Sequence, residues 1–186
     1  WRTLMTLRDF ITGYYTWDGS SNSSWGTSTN WTPVGVPSDL SHVIIPDAAS
    51  TPNDPILPAN ITINTLVIEN GGVLVMGSET LTIQNSLSGG WEDQNPLGND
   101  PGTSTVVFTM PGTTISGNAR FYNVEVATGA DITNQVNSSM KIGNTITVTG
   151  TGKWYTDVYD ATIEYNGGNQ TVLVTDGTPN YHNLIL

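Results

Sequence analysis

The chain has no cysteine in its 186 residues, which removes disulfides, zinc–thiolate sites and thiol nucleophiles together. That argues against a small disulfide-stapled animal module and is compatible with a bacterial exterior. Positive charge is nearly as scarce. Five Lys and Arg stand against sixteen Asp and Glu, for a formal net charge of −11. Nucleic-acid backbones and anionic membranes would be repelled, so neither is an expected partner. No apolar run approaches the length of a membrane span, and no signal peptide is visible. The chain opens on Trp1 and stops at Leu186 inside an apolar run, so a processed or trimmed piece of a longer protein is expected.

What remains is a polar, uncharged, β-rich text. Charged residues make up only 11%, whereas the 37% that are hydrophobic fall in short β-branched runs. Thin strands suit that pattern, since each needs only two or three inward side chains. Six Trp and seven Tyr argue against disorder. The length fits one domain with a core of its own. A surface of Thr, Ser, Asn and Gly suits an extracellular β protein better than a cytosolic enzyme.

Residues 1–15 differ from the rest. Trp1, Leu4, Leu7, Ile11 and Tyr14 fall at helical spacing, which predicts a short amphipathic helix or an extended arm. Such an arm would serve as a lid on the β core or dock on a neighbouring subunit. Residues 16–186 are read as a single β domain, with a Trp/Pro/Gly-rich opening region over 16–58 and coils over 59–186. The opening region reads as ordered loop around one strand, His42-Val43-Ile44-Ile45-Pro46. From Asn60 onward, apolar residues alternate with Thr, Asn and Glu. Pairs opened by Leu66, Leu74 and Leu81 recur every seven or eight residues, with glycine turns between them. Short strands that turn after four or five residues predict a parallel β-helix, or β-solenoid. An antiparallel meander or β-sandwich is the alternative, with longer strands and Asn-Gly-type turns.

Residues 89–104 read as a long polar excursion. The pattern then returns with a weak repeat. Phe108 corresponds to Tyr165, and Phe121-Tyr122-Asn123-Val124 to Tyr181-His182-Asn183-Leu184, a unit of roughly three coils.

The series Trp17-Asp18-Gly19-Ser20, Trp25, Asn30-Trp31, Pro37 and Val43-Ile44-Ile45-Pro46 resembles a motif of large secreted Bacteroidetes proteins. The aromatic-Asn-aliphatic elements at Phe121 and Tyr181 are similar to a recurring unit of the same proteins. The resemblance covers about four fifths of the chain, excluding the N-terminal arm. It implies a surface or secreted protein with solenoid repeats, adhesin-like and often exported by the type IX pathway. It implies no shared catalytic residues.

Signals for chemistry are few. Asp18, Asp39, Asp47, Asp54, Glu92, Asp93, Asp100, Asp131, Asp157 and Asp160 are scattered through turns, where Asp bonds its own backbone. No paired-carboxylate cleft, nucleophile elbow or phosphate loop is legible, and no enzyme is expected. His42 and His182 lack partners at metal-ligand spacing, and His182 reads as solvent-facing. Glu92, Asp93, Asn95, Asn99 and Asp100 offer oxygen ligands in one stretch, the only candidate cofactor site, for Ca²⁺. A solvated acidic loop is the competing reading. Trp17, Trp25, Trp31 and Trp91 could stack on sugar rings, or could form a small core that pins a loop.

The expectation is an extracellular structural or adhesive cell-surface module, either a filament subunit or a segment of an adhesin. Its partners would be further copies of itself or neighbouring repeats of the same polypeptide. Trp1, Leu4, Leu7, Phe10 and Ile11 at one end, and Leu184 and Leu186 at the other, are the expected assembly residues. A carbohydrate-binding module of a secreted polysaccharide-active enzyme is the alternative, with glycans as partner.

Overall fold

The alternation in Thr80-Leu81-Thr82-Ile83 turns Leu81 and Ile83 inward, fully buried, and leaves the two threonines half-exposed. A β-branched strand with one apolar face suits a wall that is wet on one side only. Many strands of this kind build the computed structural model, which describes residues 13–85, 89–95, 99–156, 160–173 and 180–186. In chain order they begin with β1 (Tyr14–Trp17), β2 (Trp31–Thr32), β3 (His42–Ile45), β4 (Ile61–Ile63), β5 (Thr65–Ile68) and β6 (Leu74–Val75). There follow β7 (Thr80–Ile83), β8 (Gly90–Asp93), β9 (Asn99–Asp100), β10 (Thr105–Phe108), β11 (Thr113–Gly117) and β12 (Arg120–Val126). The series closes with β13 (Asp131–Asn134), β14 (Ser139–Val148), β15 (Lys153–Thr156), β16 (Thr162–Tyr165), β17 (Asn180–Tyr181) and β18 (Asn183–Ile185).

These strands form a parallel β-solenoid. One nine-stranded wall runs β17-β15-β13-β11-β8-β5-β3-β1-β2, and a seven-stranded wall runs β18-β16-β14-β12-β10-β7-β4. β6 and β9 pair as a short third side. Among the described residues, β1 with β2 is the only antiparallel strand pair, so the sandwich alternative does not hold. Because coils stack in register, inward side chains form columns along the axis. Ile61, Leu81, Val106, Val124 and Ile146 make one column. Val43, Leu66, Trp91 and Ile115 make another in the opposite wall. Each coil therefore buries its apolar face against the next coil and against the other wall, in one continuous core.

Three expectations need correction. Tyr14 and Tyr15 belong to β1 and pair with His42 and Val43, so the solenoid starts before residue 16; the helical spacing at Tyr14 was coincidental. Residues 1–12 lie outside the described residues. The excursion at 89–104 carries two strands, β8 and β9. β8 was hidden because its inward positions are Trp91 and Asp93, and only one of these is apolar. The aromatic repeat is not a structural repeat. Tyr165 continues the column of Phe121 and Ile142, whereas Phe108 lies in the column of Ile83 and Val126. Tyr181 is in the other wall altogether. The ten-residue β14 pairs with β12 in two stretches, Lys141–Ile142 and Thr145–Val148, with a register shift between them, while Ser139–Ile142 also pair with β16 on the other side.

Candidate functional site: a groove across the nine-stranded wall

The outer face of the nine-stranded wall carries a cavity of about 530 Å³, within the range of small-molecule sites. It is built by register. Tyr14, His42 and Thr65 follow one another across β1, β3 and β5. Val67, Glu92 and Ser116 do the same across β5, β8 and β11. Gly90 continues the first of these outward columns, next to Thr65 and in register with Thr114, and presents no side chain. A Cβ on Gly90 would come within 2.5 Å of Thr113 Cγ2 and 2.6 Å of the Thr114 carbonyl. The backbones approach too closely there for any other residue, and the missing side chain leaves the hollow.

One end of the groove is held rigidly. The Tyr14 and His42 rings stack with centroids 4.6 Å apart. His42 Nδ1 lies 2.8 Å from Thr65 Oγ1, and Asn64 Nδ2 donates to Nε2 at 3.1 Å. An Nε2 that accepts a hydrogen bond carries no proton, so Nδ1–H donates to Thr65 and the imidazole is neutral. Burial lowers the His42 pKa in the same sense. Glu92 is steadied by Gln94 Nε2, which donates to Oε1 at 2.7 Å. The groove thus offers hydroxyls, a phenol, a neutral imidazole and one carboxylate, and among the described residues no Lys or Arg lines it. The sequence offers Glu92 as a candidate calcium ligand and shows no partner at metal-ligand spacing for His42. Their meeting depends on strand register, which the sequence does not announce.

The four indoles, read in the sequence either as sugar platforms or as a small core that pins a loop, do not reach the surface. Trp17, Trp25, Trp31 and Trp91 are each 1% exposed or less. Trp17 and Trp25 pack edge-on against Trp31 at 4.9 and 4.6 Å. Trp31 Nε1 donates to the Trp25 carbonyl at 2.8 Å, and Trp17 Nε1 to the Asn53 carbonyl at 2.7 Å. Trp91 meets Phe121 edge-on at 4.9 Å. These rings pin the opening loop and fill the core, so the sugar-platform reading of them is withdrawn.

The expected calcium ligands are also dispersed. Glu92 and Asp93 are consecutive on β8 and point to opposite faces. Asn99 is buried, donating through Nδ2 to the Arg120 carbonyl and accepting from Arg120 N–H at 3.2 Å. Asn95 Nδ2 donates to the Gly72 carbonyl at 3.0 Å. Asp100 is exposed and accepts from Gly102 N–H at 3.1 Å. The five do not converge on one point. Asp93 itself is fully buried between Ile68 and Gly117 in its column. Desolvation pushes its carboxyl up to about 7, opposed by the Asn95 N–H and by Arg120.

A family model described as a domain of unknown function, DUF8693, matches residues 16–90. No curated protein and no solved structure matches the chain. The DUF8693-like segment spans less than half of the chain. It contains the Trp-pinned loop and the first coils, and it ends at the groove glycine. Within it the Trp-Asp-Gly-Ser motif has local physical roles. Asp18 Oδ1 accepts from Ser20 N–H at 2.9 Å, and Asn30 Oδ1 accepts from Ser21 and Asn22 N–H at 2.9 and 3.1 Å.

At the other end, β17 and β18 are the last strands of their walls. Leu184, Ile185 and Leu186 are 40%, 49% and 82% exposed. His182 faces solvent, 3.6 Å from Asp160. Trp1, Leu4, Leu7, Phe10 and Ile11, the other expected assembly residues, lie outside the described residues. Among the described residues no helix is long and apolar enough to cross a membrane.

Proposed function

We propose that this chain is a structural or adhesive module of an extracellular bacterial surface protein, a rigid spacer lengthened by adding coils. The observation that carries this reading is the stack itself: two walls of parallel strands in register around one core. Such a stack is extended by edge pairing without redesign of any coil. Exposed Leu184 and Ile185 lie on the edge strand β18, in register with Ile163 and Glu164. A following coil would continue the Met140–Ile163–Leu184 column, whether it came from the same polypeptide or from a second copy. The cysteine-free, acidic, Thr- and Asn-rich composition supports an exterior location, and the Bacteroidetes-like motif supports an adhesin-like parent exported by the type IX pathway.

Electron microscopy and sedimentation velocity over a range of concentrations test the self-associating form. End-to-end rods that shorten to single particles in Leu184→Lys and in a chain lacking residues 1–13 support it. Single particles at every concentration overturn it and leave a spacer within a longer polypeptide. Protease accessibility on intact cells tests the exterior location.

A further inference from the structure

We infer that the groove over β1, β3, β5, β8 and β11 is a binding site for an uncharged, extended oligosaccharide lying along the solenoid axis. This goes beyond the structural role, and it stands or falls independently of end-to-end association.

The direction follows from the sheet. The groove crosses the strands, and each step along it advances about 4.8 Å to the next strand, comparable to the length of one sugar ring. A ligand with a repeat of that size meets a fresh side chain at every step. An extended peptide fits poorly, because strand addition needs a free edge. The backbone groups of β3, β5 and β8 are already engaged on both sides.

The charge follows from the lining. Tyr14, Thr65, Thr114 and Ser116 contribute hydroxyls, His42 is neutral, and Glu92 is the single charged group among the described residues of the lining. With no cation among the described residues of the groove and a formal net charge of −11 on the chain, phosphates and uronates would be repelled. Val67 and the Tyr14 ring add apolar surface to the lining, suited to the C–H face of a sugar ring. Vicinal hydroxyls of a neutral sugar match what is offered: a carboxylate that accepts two hydrogen bonds, hydroxyls that donate and accept, and a hollow where Gly90 lets a ring approach the sheet.

The test uses the whole chain. Isothermal titration with hexasaccharides of glucose, xylose and mannose is paired with affinity electrophoresis in gels containing the corresponding neutral polysaccharides or polygalacturonate. Binding to at least one neutral series is expected, with polygalacturonate excluded. Glu92→Gln and Tyr14→Ala should each weaken binding at least about tenfold. Thr114→Tyr, which fills the hollow, should abolish it. Thr82→Ala, on the opposite wall, should leave it unchanged. Circular dichroism and melting temperature confirm that each variant is folded. The proposal is overturned if no neutral hexasaccharide binds at millimolar concentration. It also fails if polygalacturonate binds better, or if folded Glu92→Gln and Thr114→Tyr bind as the parent does.

Discussion

Asp93 occupies a position in its column that Ile45 and Ile68 fill in the coils before it. Oδ1 accepts from Asn95 N–H at 3.0 Å, and Oδ2 has no hydrogen-bond partner among the described residues. A carboxyl raised to about 7 by desolvation holds its proton in the folded chain over a range where the unfolded chain has released it. Its contribution is therefore harmless below about pH 4, falls progressively to pH 7, and is fully unfavourable above that. The total is up to about 4 kcal/mol. Asp93→Asn should gain stability over the parent across that window and level off beyond it, as urea unfolding at pH 4, 5.5, 7 and 8 would show. Parallel profiles would mean the carboxyl is solvated. Trp31 gives the opposite case, a residue whose loss costs heavily. Its removal deletes two edge-on ring contacts and leaves Trp17 and Trp25 facing a void. Trp31→Ala should cost about 3–5 kcal/mol in denaturant unfolding.

Strand ends and turns set how closely coils approach, and glycine there has two separable roles. Gly117 and Gly112 both have φ near +80°, at 78° and 77°. A Cβ on Gly117 would lie 1.9 Å from the Asp93 carbonyl, whereas one on Gly112 meets nothing within 4 Å. Gly112→Ala should cost about 1 kcal/mol, the backbone penalty alone. Gly117→Ala should cost at least about 2 kcal/mol more, since backbone must move. Equal melting temperatures for the two would show that the coils yield readily. This scale also marks what was legible in the text. The strands at Ile61–Ile63, Thr65–Ile68 and Thr80–Ile83 were visible because every inward position is aliphatic. β8 was not, because one core position is an acid, and pairing with Leu66 and Ile115 supplies what its own sequence lacks. The groove was invisible for a related reason. Its side chains come from strands separated by twenty or more residues, and its defining feature is a missing Cβ at Gly90. The four tryptophans left two readings open because an aromatic between turn residues looks the same in sequence whether it faces solvent or core.

Across the whole molecule, each coil touches chiefly the coils before and after it, so stability is a sum of neighbouring terms. Ile163 is fully buried between Met140 and Leu184. Ile163→Asn should strip hydrogen-exchange protection from Thr162–Tyr165 and Asn183–Ile185 while leaving His42–Ile45 protected. A uniform loss along the chain would instead show that the solenoid opens as one unit. The same neighbour-only bonding has a mechanical side. Partners in successive coils, such as Val106, Val124 and Ile146, are held across the stack by ladder bonds that run along the axis. A pull on the two ends loads one rung at a time, so coils would peel off singly and each would release its own length of slack. Under tension the molecule would yield in steps and take up shock, without snapping from one anchored state to a fully unravelled one.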